Sequence, residues 1–334
     1  MMDWNTYYKE HLMTAEAAVL KMPKNANIAT SHAAAEPRLI LDTMTKNREY
    51  FKDAKIFSVI LMGETSYCAP CCDGHIRYQT MFVSAGSRVA VAENRADFIP
   101  CFYHDVPALI KNHLKPNVAI VSVSPPDVHG YCSLGLTCDY QRAAIDTADL
   151  VIAEVNRQLP YVMGDNFVHV TEIDCIVEAD EGLPILAKGK IGDAEKAIGE
   201  NCAKLISDGD TLQLGIGGIP DAVLMALHDK RDLGIHSEMF SDGVVDLINA
   251  GIVTNKKKSL HNGVSIATFL MGSEKLYKYV HNNPAVGMYP VNYTNDPYIA
   301  AKNDNLIAIN SCLQVDLTGQ VTAESIGTRQ FSGV

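Results

Sequence analysis

Residues 118–123, Val-Ala-Ile-Val-Ser-Val, carry only one polar side chain, and the run stops at Pro125-Pro126-Asp127. A strand without a polar face cannot lie against water on either side. It belongs inside a sheet covered on both faces, and proline cannot continue such a strand. Leu150–Val155 repeats the pattern after a helical stretch at Arg142–Ala148, and Ile56–Met62 reads as another buried strand. Apolar strands alternating with helices predict an α/β fold with mostly parallel sheets.

The rest of the chain follows the same rhythm. Ala15–Lys21 is rich in helix formers, and Thr14 is placed to cap it, with Glu16 in the first turn where the helix dipole favours an acid. Ile28–Ala35 reads as extended, Glu36-Pro37 interrupts it, and Leu39–Met44 reads as a helix. Asp180–Gly192 is rich in glycine, proline and charge and predicts a domain boundary, giving domains at 1–185 and 186–334. Beyond it the alternation restarts: helix Ala194–Ile206, strand Thr211–Leu214, turn Gly215–Pro220, helix Asp221–His228, strand Leu233–Ser237, helix Gly243–Ala250 and strand Val264–Met271. Helix Lys275–Asn282 and strands Leu306–Ile309 and Leu313–Leu317 complete it.

Composition removes several function classes. The 334 residues carry a formal charge of −11, which lacks the basic stripe of a nucleic-acid binder. The apolar runs are far shorter than a membrane span, and the first residues have neither a basic nor an apolar signal region, so no membrane partner is expected. Nine cysteines, six of them isolated in apolar surroundings, fit reduced thiols in a cytoplasm.

The segment Leu212-Gln213-Leu214-Gly215-Ile216-Gly217-Gly218-Ile219-Pro220-Asp221 carries the chemistry most plainly. A strand runs into a glycine turn, and a helix is expected to start at Pro220. Its free amides and positive end favour a phosphate or an oxyanion. The same residues also suit a tight strand–helix connection with no ligand. Glu238 follows 20 residues after Gly218, at the expected carboxyl end of Leu233–Ser237, where parallel sheets bind ligands. Three readings stay open on the residues alone: an acid on a nucleotide ribose, a nucleophile beside an oxyanion site, or a strand-end glutamate. Against the first, the turn reads G-x-G-G-x-P and puts proline where a dinucleotide fingerprint has its third glycine.

Residues 211–247 resemble the acetyl-CoA hydrolase/transferase family, and so, in order, do Val123–Asp127, Ala153–Asn156, Gly164–Val170, Leu313–Asp316 and Ser325–Val334. The resemblance implies two similar open α/β domains with the active site in the cleft between them, and a homodimer. It places the catalytic glutamate on Glu238, CoA contacts on Gly215, Ile216, Gly217, Gly218 and Ile219, and a further CoA contact on Leu313. It implies CoA transfer from acetyl-CoA or butyryl-CoA to a short-chain carboxylate, with 4-hydroxybutyrate the leading acid, coenzyme A acting as substrate, and no permanent cofactor or metal. A butyrate- or propionate-type transferase, an acyl-CoA hydrolase and a non-catalytic nucleotide-binding module are the alternatives. The family pattern continues past Val334, so the resemblance also implies an incomplete second domain.

Other features are weaker. Gln213, ahead of the glycine turn, is a candidate substrate contact, and His32, ahead of Ala33–Pro37, reads as a packed loop histidine or, as the alternative, a substrate contact. Cys68, Cys71, Cys72 and His75 have an isolated C-x-x-C pair and read as a loop with free thiols. His169 and Glu172 are expected on opposite faces of a strand, and Lys256-Lys257-Lys258 on a solvated loop.

Overall fold

The computed structural model describes residues 3–63, 65–187 and 189–333. They form two compact units: residues 1–161, 167–184 and 312–334 make the first, and residues 162–166 and 185–311 the second. Residues 312–334 therefore group with the first unit.

The first unit is built on a seven-stranded parallel sheet. Its members in chain order are β1 (Asn27–Thr30), β2 (Ala54–Phe57), β3 (Ile76–Thr80), β4 (Ala96–Phe98), β5 (Val118–Val123), β7 (Leu150–Asn156) and β9 (Cys175–Ala179). The short strands β6 (Tyr131–Ser133) and β8 (Phe167–His169) pair with each other outside it. The order is β4-β3-β2-β1-β5-β7-β9, so the winding reverses between β1 and β5. Every residue of β5 is buried, as its composition requires. Thr14 caps helix Ala15–Leu20 by accepting from the Ala17 amide. Glu154 on β7 is 1% exposed and accepts from the Ile40 amide at 3.1 Å, in the first turn of helix Arg38–Lys46. Residues 312–333 add two small antiparallel hairpins, and the Arg88 guanidinium lies over the Phe331 ring at 4.2 Å.

The second unit holds a three-stranded parallel sheet, β11 (Gly234–Ile235), β10 (Thr211–Leu214) and β16 (Leu306–Ile309). The pairs β12 (Met239–Phe240) with β14 (Phe269–Leu270), and β13 (Ser265–Ala267) with β15 (Val286–Met288), are parallel too. A bridge between His236 and Ile266 links β11 to β13. The continuous strands expected at 233–237 and 264–271 are thus each interrupted, the first at 236–238 and the second at Thr268. The breaks face each other: the Glu238 carbonyl accepts from the Thr268 and Phe269 amides at 2.9 and 3.2 Å.

Several local expectations are corrected. The strand expected at 56–62 covers Ala54–Phe57. The helix after the glycine turn runs Gly218–Met225, so Pro220 is its third residue. That position is tolerated because no first-turn amide has an intrahelical acceptor. The strand expected at 313–317 is only Gln314–Val315, paired with Val321–Thr322. His169 and Glu172 do not share a strand: His169 ends β8, and Glu172, in the 3₁₀ turn Val170–Glu172, accepts from the His169 amide at 2.9 Å. Lys258 is not solvated but 4% exposed, its Nζ donating to the Ile235 and Val264 carbonyls at 2.7 and 2.6 Å. Its aliphatic stem lies over Gly234, where a Cβ would meet Cγ at 2.5 Å. Burial pushes the Lys258 ammonium pKa down to about 7.

All nine cysteines are free thiols. Cys68 and Cys72 are buried while Cys71 is exposed, and the His75 ring is bonded to the Phe51 carbonyl at 3.1 Å. Among the described residues no three His, Cys, Asp or Glu side chains converge as metal ligands, and no helix is long and apolar enough to cross a membrane.

Candidate active site

Glu238 lies in the strand break, half-buried, and hydrogen bonds hold it there. The Ser237 hydroxyl accepts from the Leu214 amide at 3.0 Å and donates to the Leu214 carbonyl at 3.1 Å. Leu214 is the last residue of β10, so this pair sets Glu238 next to the start of the glycine turn. The carbonyl of Glu238 is held by the facing strand, as above. Its carboxylate Oε2 accepts from the Asn295 side-chain amide at 2.7 Å. That distance is typical of a charge-assisted bond, roughly twice as strong as a neutral one.

Asn295 is held just as firmly. It ends the short helix Val291–Thr294, and its amide donates to the Val291 carbonyl at 2.9 Å. Asp296 then caps the next helix, Pro297–Ala300, accepting from Tyr298 and Ile299 at 2.7 and 3.0 Å. Both helices are a single turn, so hydrogen bonds to their ends, more than helix propensity, set where Asn295 sits.

Glu238 and Asn295 open into a cavity of about 330 Å³ that is also lined by Gln213, His236, Thr294 and Asn310. Gln213 on β10 and Asn310, just past β16, exchange two amide bonds of 3.2 and 2.8 Å. His236 is 2% exposed, its Nε2 lies 2.9 Å from the Thr294 carbonyl, and its Nδ1 lies 3.2 Å from the Asn303 amide nitrogen. Burial, with Lys258 and His261 adding positive charge nearby, pushes its pKa down to about 4, so the ring is neutral at physiological pH.

The glycine turn closes the same end of β10. Gly217 has φ +112°, a conformation that only glycine adopts without strain, and it precedes helix Gly218–Met225. Ile216 and Gly217 are exposed, and the helix's first amides have no acceptor within the helix. An electron-rich oxygen held there would meet backbone donors and a positive helix end.

The second unit therefore brings together Gln213, the turn Gly215–Ile219 and Glu238. His32 and Leu313 belong to the first unit. His32 follows β1, at the carboxyl ends of β1 and β5 where the winding reverses, and is fully buried. Its Nε2 lies 2.6 Å from Asp139 Oδ2, which also accepts from the Tyr103 hydroxyl. Ala33 beside it adopts φ +52°, a left-handed conformation costly for an L-residue. Leu313 donates its amide to the Thr322 carbonyl at 2.8 Å and is half-buried. Sequence reasoning missed Asn295, Asn310 and Asp139. Asn310 had a usable signal, because it follows a parallel strand as Glu238 was expected to.

An acidic side chain beside a glycine turn, at the carboxyl end of a parallel α/β sheet, can act as a nucleophile next to backbone donors for an oxyanion. The N-terminal domain of the acetyl-CoA hydrolase/transferase family matches residues 1–187, and its C-terminal domain matches residues 272–334. The chain belongs to this family, and it is a CoA-transferase. It is 51% identical over 334 residues to the 4-hydroxybutyrate coenzyme A transferase of Clostridium kluyveri, spanning all of this chain and 78% of that protein. Among solved structures, 4-hydroxybutyrate CoA-transferase from Porphyromonas gingivalis superposes with a TM-score of 0.86 at 40% identity, over 96% of this chain and 77% of that one. RipA from Yersinia pestis superposes with a TM-score of 0.93 at 34% identity, over 97% of this chain and 78% of its own.

Proposed function

We propose that the protein moves CoA from an acyl-CoA to a short-chain carboxylate, with Glu238 as covalent nucleophile. 4-Hydroxybutyrate is the leading acid, and acetyl-CoA or butyryl-CoA the donor. The observation that carries the reading is the Glu238 carboxylate itself: half-buried, oriented by Asn295 at 2.7 Å, and opening into a polar cavity beside the glycine turn. Against a ribose-binding acid, the turn puts Pro220 where a dinucleotide fingerprint has its third glycine. The names of the relatives favour 4-hydroxybutyrate among the possible acids.

In this mechanism a Glu238 oxygen attacks the thioester carbonyl. The C–S bond breaks, and the thiolate leaves an acyl–glutamyl anhydride. The thiolate then attacks the glutamyl carbonyl, giving a glutamyl–CoA thioester and the free acid. A second carboxylate runs the same two steps in reverse, departs as its CoA ester and restores Glu238. The charge of each tetrahedral intermediate needs donors already aimed at it, and the amides of Gly217 to Ile219 are the proposed source. Gln213 is the proposed contact for the reacting acyl or acid group. His32 and Leu313 are proposed as substrate and CoA contacts on the strength of the family resemblance. Two covalent half-reactions predict ping-pong kinetics, and water reaching the thioester predicts slow hydrolysis as a side activity.

Glu238→Gln tests the reading. The amide keeps the shape of the side chain but is a poor nucleophile. Transfer should fall below detection while CoA binding by calorimetry stays within a few-fold of the parent. Weakened CoA binding with transfer retained would overturn it.

A further inference from the structure

The carboxylate of Glu238 accepts from the side-chain amide of Asn295, which sits on a backbone of two single-turn helices. Such short helices do not hold themselves in place. The peptide between Thr294 and Asn295 is held at both ends: its N–H donates to the Val291 carbonyl at 2.9 Å, and its carbonyl lies 2.9 Å from Nε2 of His236, two residues before Glu238. His236 and Glu238 flank Ser237 in the strand break, and both line the same cavity.

The hydrogen bonds around His236 form a directed chain. The Thr294 carbonyl can only accept, so the imidazole Nε2 at 2.9 Å must carry the proton. A neutral ring then presents Nδ1 as an acceptor, and the Asn303 amide nitrogen lies 3.2 Å away. The Ala300 carbonyl, 3.3 Å from the same nitrogen, settles which end of the Asn303 amide faces the ring, since a second oxygen there would repel it. Asn303 is 4% exposed, so water does not compete for these positions. The charged and titratable groups facing the ring are Lys258, His261 and Glu238. Two of them are cationic or potentially so, which opposes a second proton on the ring.

We infer that His236 is a positioning residue for the reaction: held as its Nε2–H tautomer by Asn303, it clamps the Thr294 carbonyl and so places the Asn295 amide that orients the Glu238 carboxylate. The inference rests on the reading of Glu238 as nucleophile. It differs from a direct catalytic role, because in this chain the ring reaches Glu238 through Thr294 and Asn295. It also differs from simple core packing, which would make no distinction between the transition state and the bound substrate.

The test is a mutant cycle on the full chain, with kcat and KM measured for the same acyl-CoA and acid. His236→Leu removes the clamp. It should lower kcat roughly ten- to a hundredfold, with KM for acyl-CoA within about twofold. His236→Gln keeps an N–H near the Nε2 position and should recover most of the loss. Because His236 acts through Asn295, combining His236→Leu with Asn295→Ala should be no worse than Asn295→Ala alone. Asn303→Leu, which leaves the ring but removes what sets its tautomer, should lower kcat several-fold, and this loss too should vanish in the Asn295→Ala background. Parent-like kcat in His236→Leu, or losses that multiply with Asn295→Ala, would overturn the inference. If His236→Leu fails to fold, Asn303→Leu and His236→Gln decide by the same criteria. Failure here is separable from failure of the nucleophile assignment: that one shows as transfer by Glu238→Gln, this one as a Glu238-dependent enzyme indifferent to His236.

Discussion

The buried carboxylate of Glu154 makes the stability of the first unit depend on pH. It is 1% exposed, and burial pushes its pKa up to about 8 from a reference of 4.5, against the opposing pull of the Leu39 and Ile40 amides. The sign follows from which state holds the proton more tightly. The folded protein does, so the contribution is full below pH 4.5 and is lost as pH rises towards 8. With those two pKa values the stability lost between pH 5 and pH 7 is about 2.5 kcal/mol, at up to about 1.4 kcal/mol per pH unit between the two values and none above both. Glu154→Gln removes the titration and keeps an oxygen for the Ile40 amide. Its new amide hydrogens need partners, so its absolute stability can shift either way by about 1–3 kcal/mol. The slope is the clean readout. Urea unfolding of parent and variant, at half-unit steps from pH 5 to 8.5, should show a parent that weakens relative to the variant by about 2.5 kcal/mol between pH 5 and 7. Curves that stay parallel across this range would refute the assignment and mean that the two amides hold Glu154 ionised throughout.

Two further outcomes follow from the site. Asn295→Ala removes a hydrogen bond to a charged group, worth about 1.5–3 kcal/mol, and should lower kcat roughly 10- to 150-fold in steady-state assays with CoA binding little changed. Gly217→Ala meets no steric obstacle, since nothing lies within 4 Å of the added Cβ, but φ +112° is strained for alanine. It should cost about 1–2 kcal/mol in thermal or urea unfolding, or reshape the turn and raise KM for acyl-CoA.

Much of the first unit was legible in the sequence because its signal is local. A six-residue strand with nothing to show water, Val118–Val123, can only be central, and it is. Thr14 identifies its helix start from one hydroxyl. The second unit was legible as an alternation but not in its interruptions. Strand breaks at 236–238 and at Thr268 depend on each other, through bonds between residues about 30 apart in sequence, and no window on one strand contains both. Lys258 was misread for a related reason. A basic triplet looks solvated from its neighbours, and only the carbonyls of Ile235 and Val264 explain why its third member is buried. Glu172 was misplaced because a capping glutamate three residues past His169 fits a short turn as well as a strand. At the site, Glu238 and the glycine turn were marked by residue type and spacing. Asn295 was not, because an asparagine between two single-turn helices gives no local sign of what it points at.

The central claim is that Glu238 becomes covalently bonded to CoA. Acyl-CoA mixed with the protein without acceptor acid, reduced with borohydride or captured with hydroxylamine, and digested for mass spectrometry, tests it most directly. The modification should fall on the peptide carrying Glu238, form on the timescale of one turnover, and disappear when an acceptor acid is added. A fully active preparation that yields no modified Glu238, or that carries the acyl or CoA group on another residue, would contradict it.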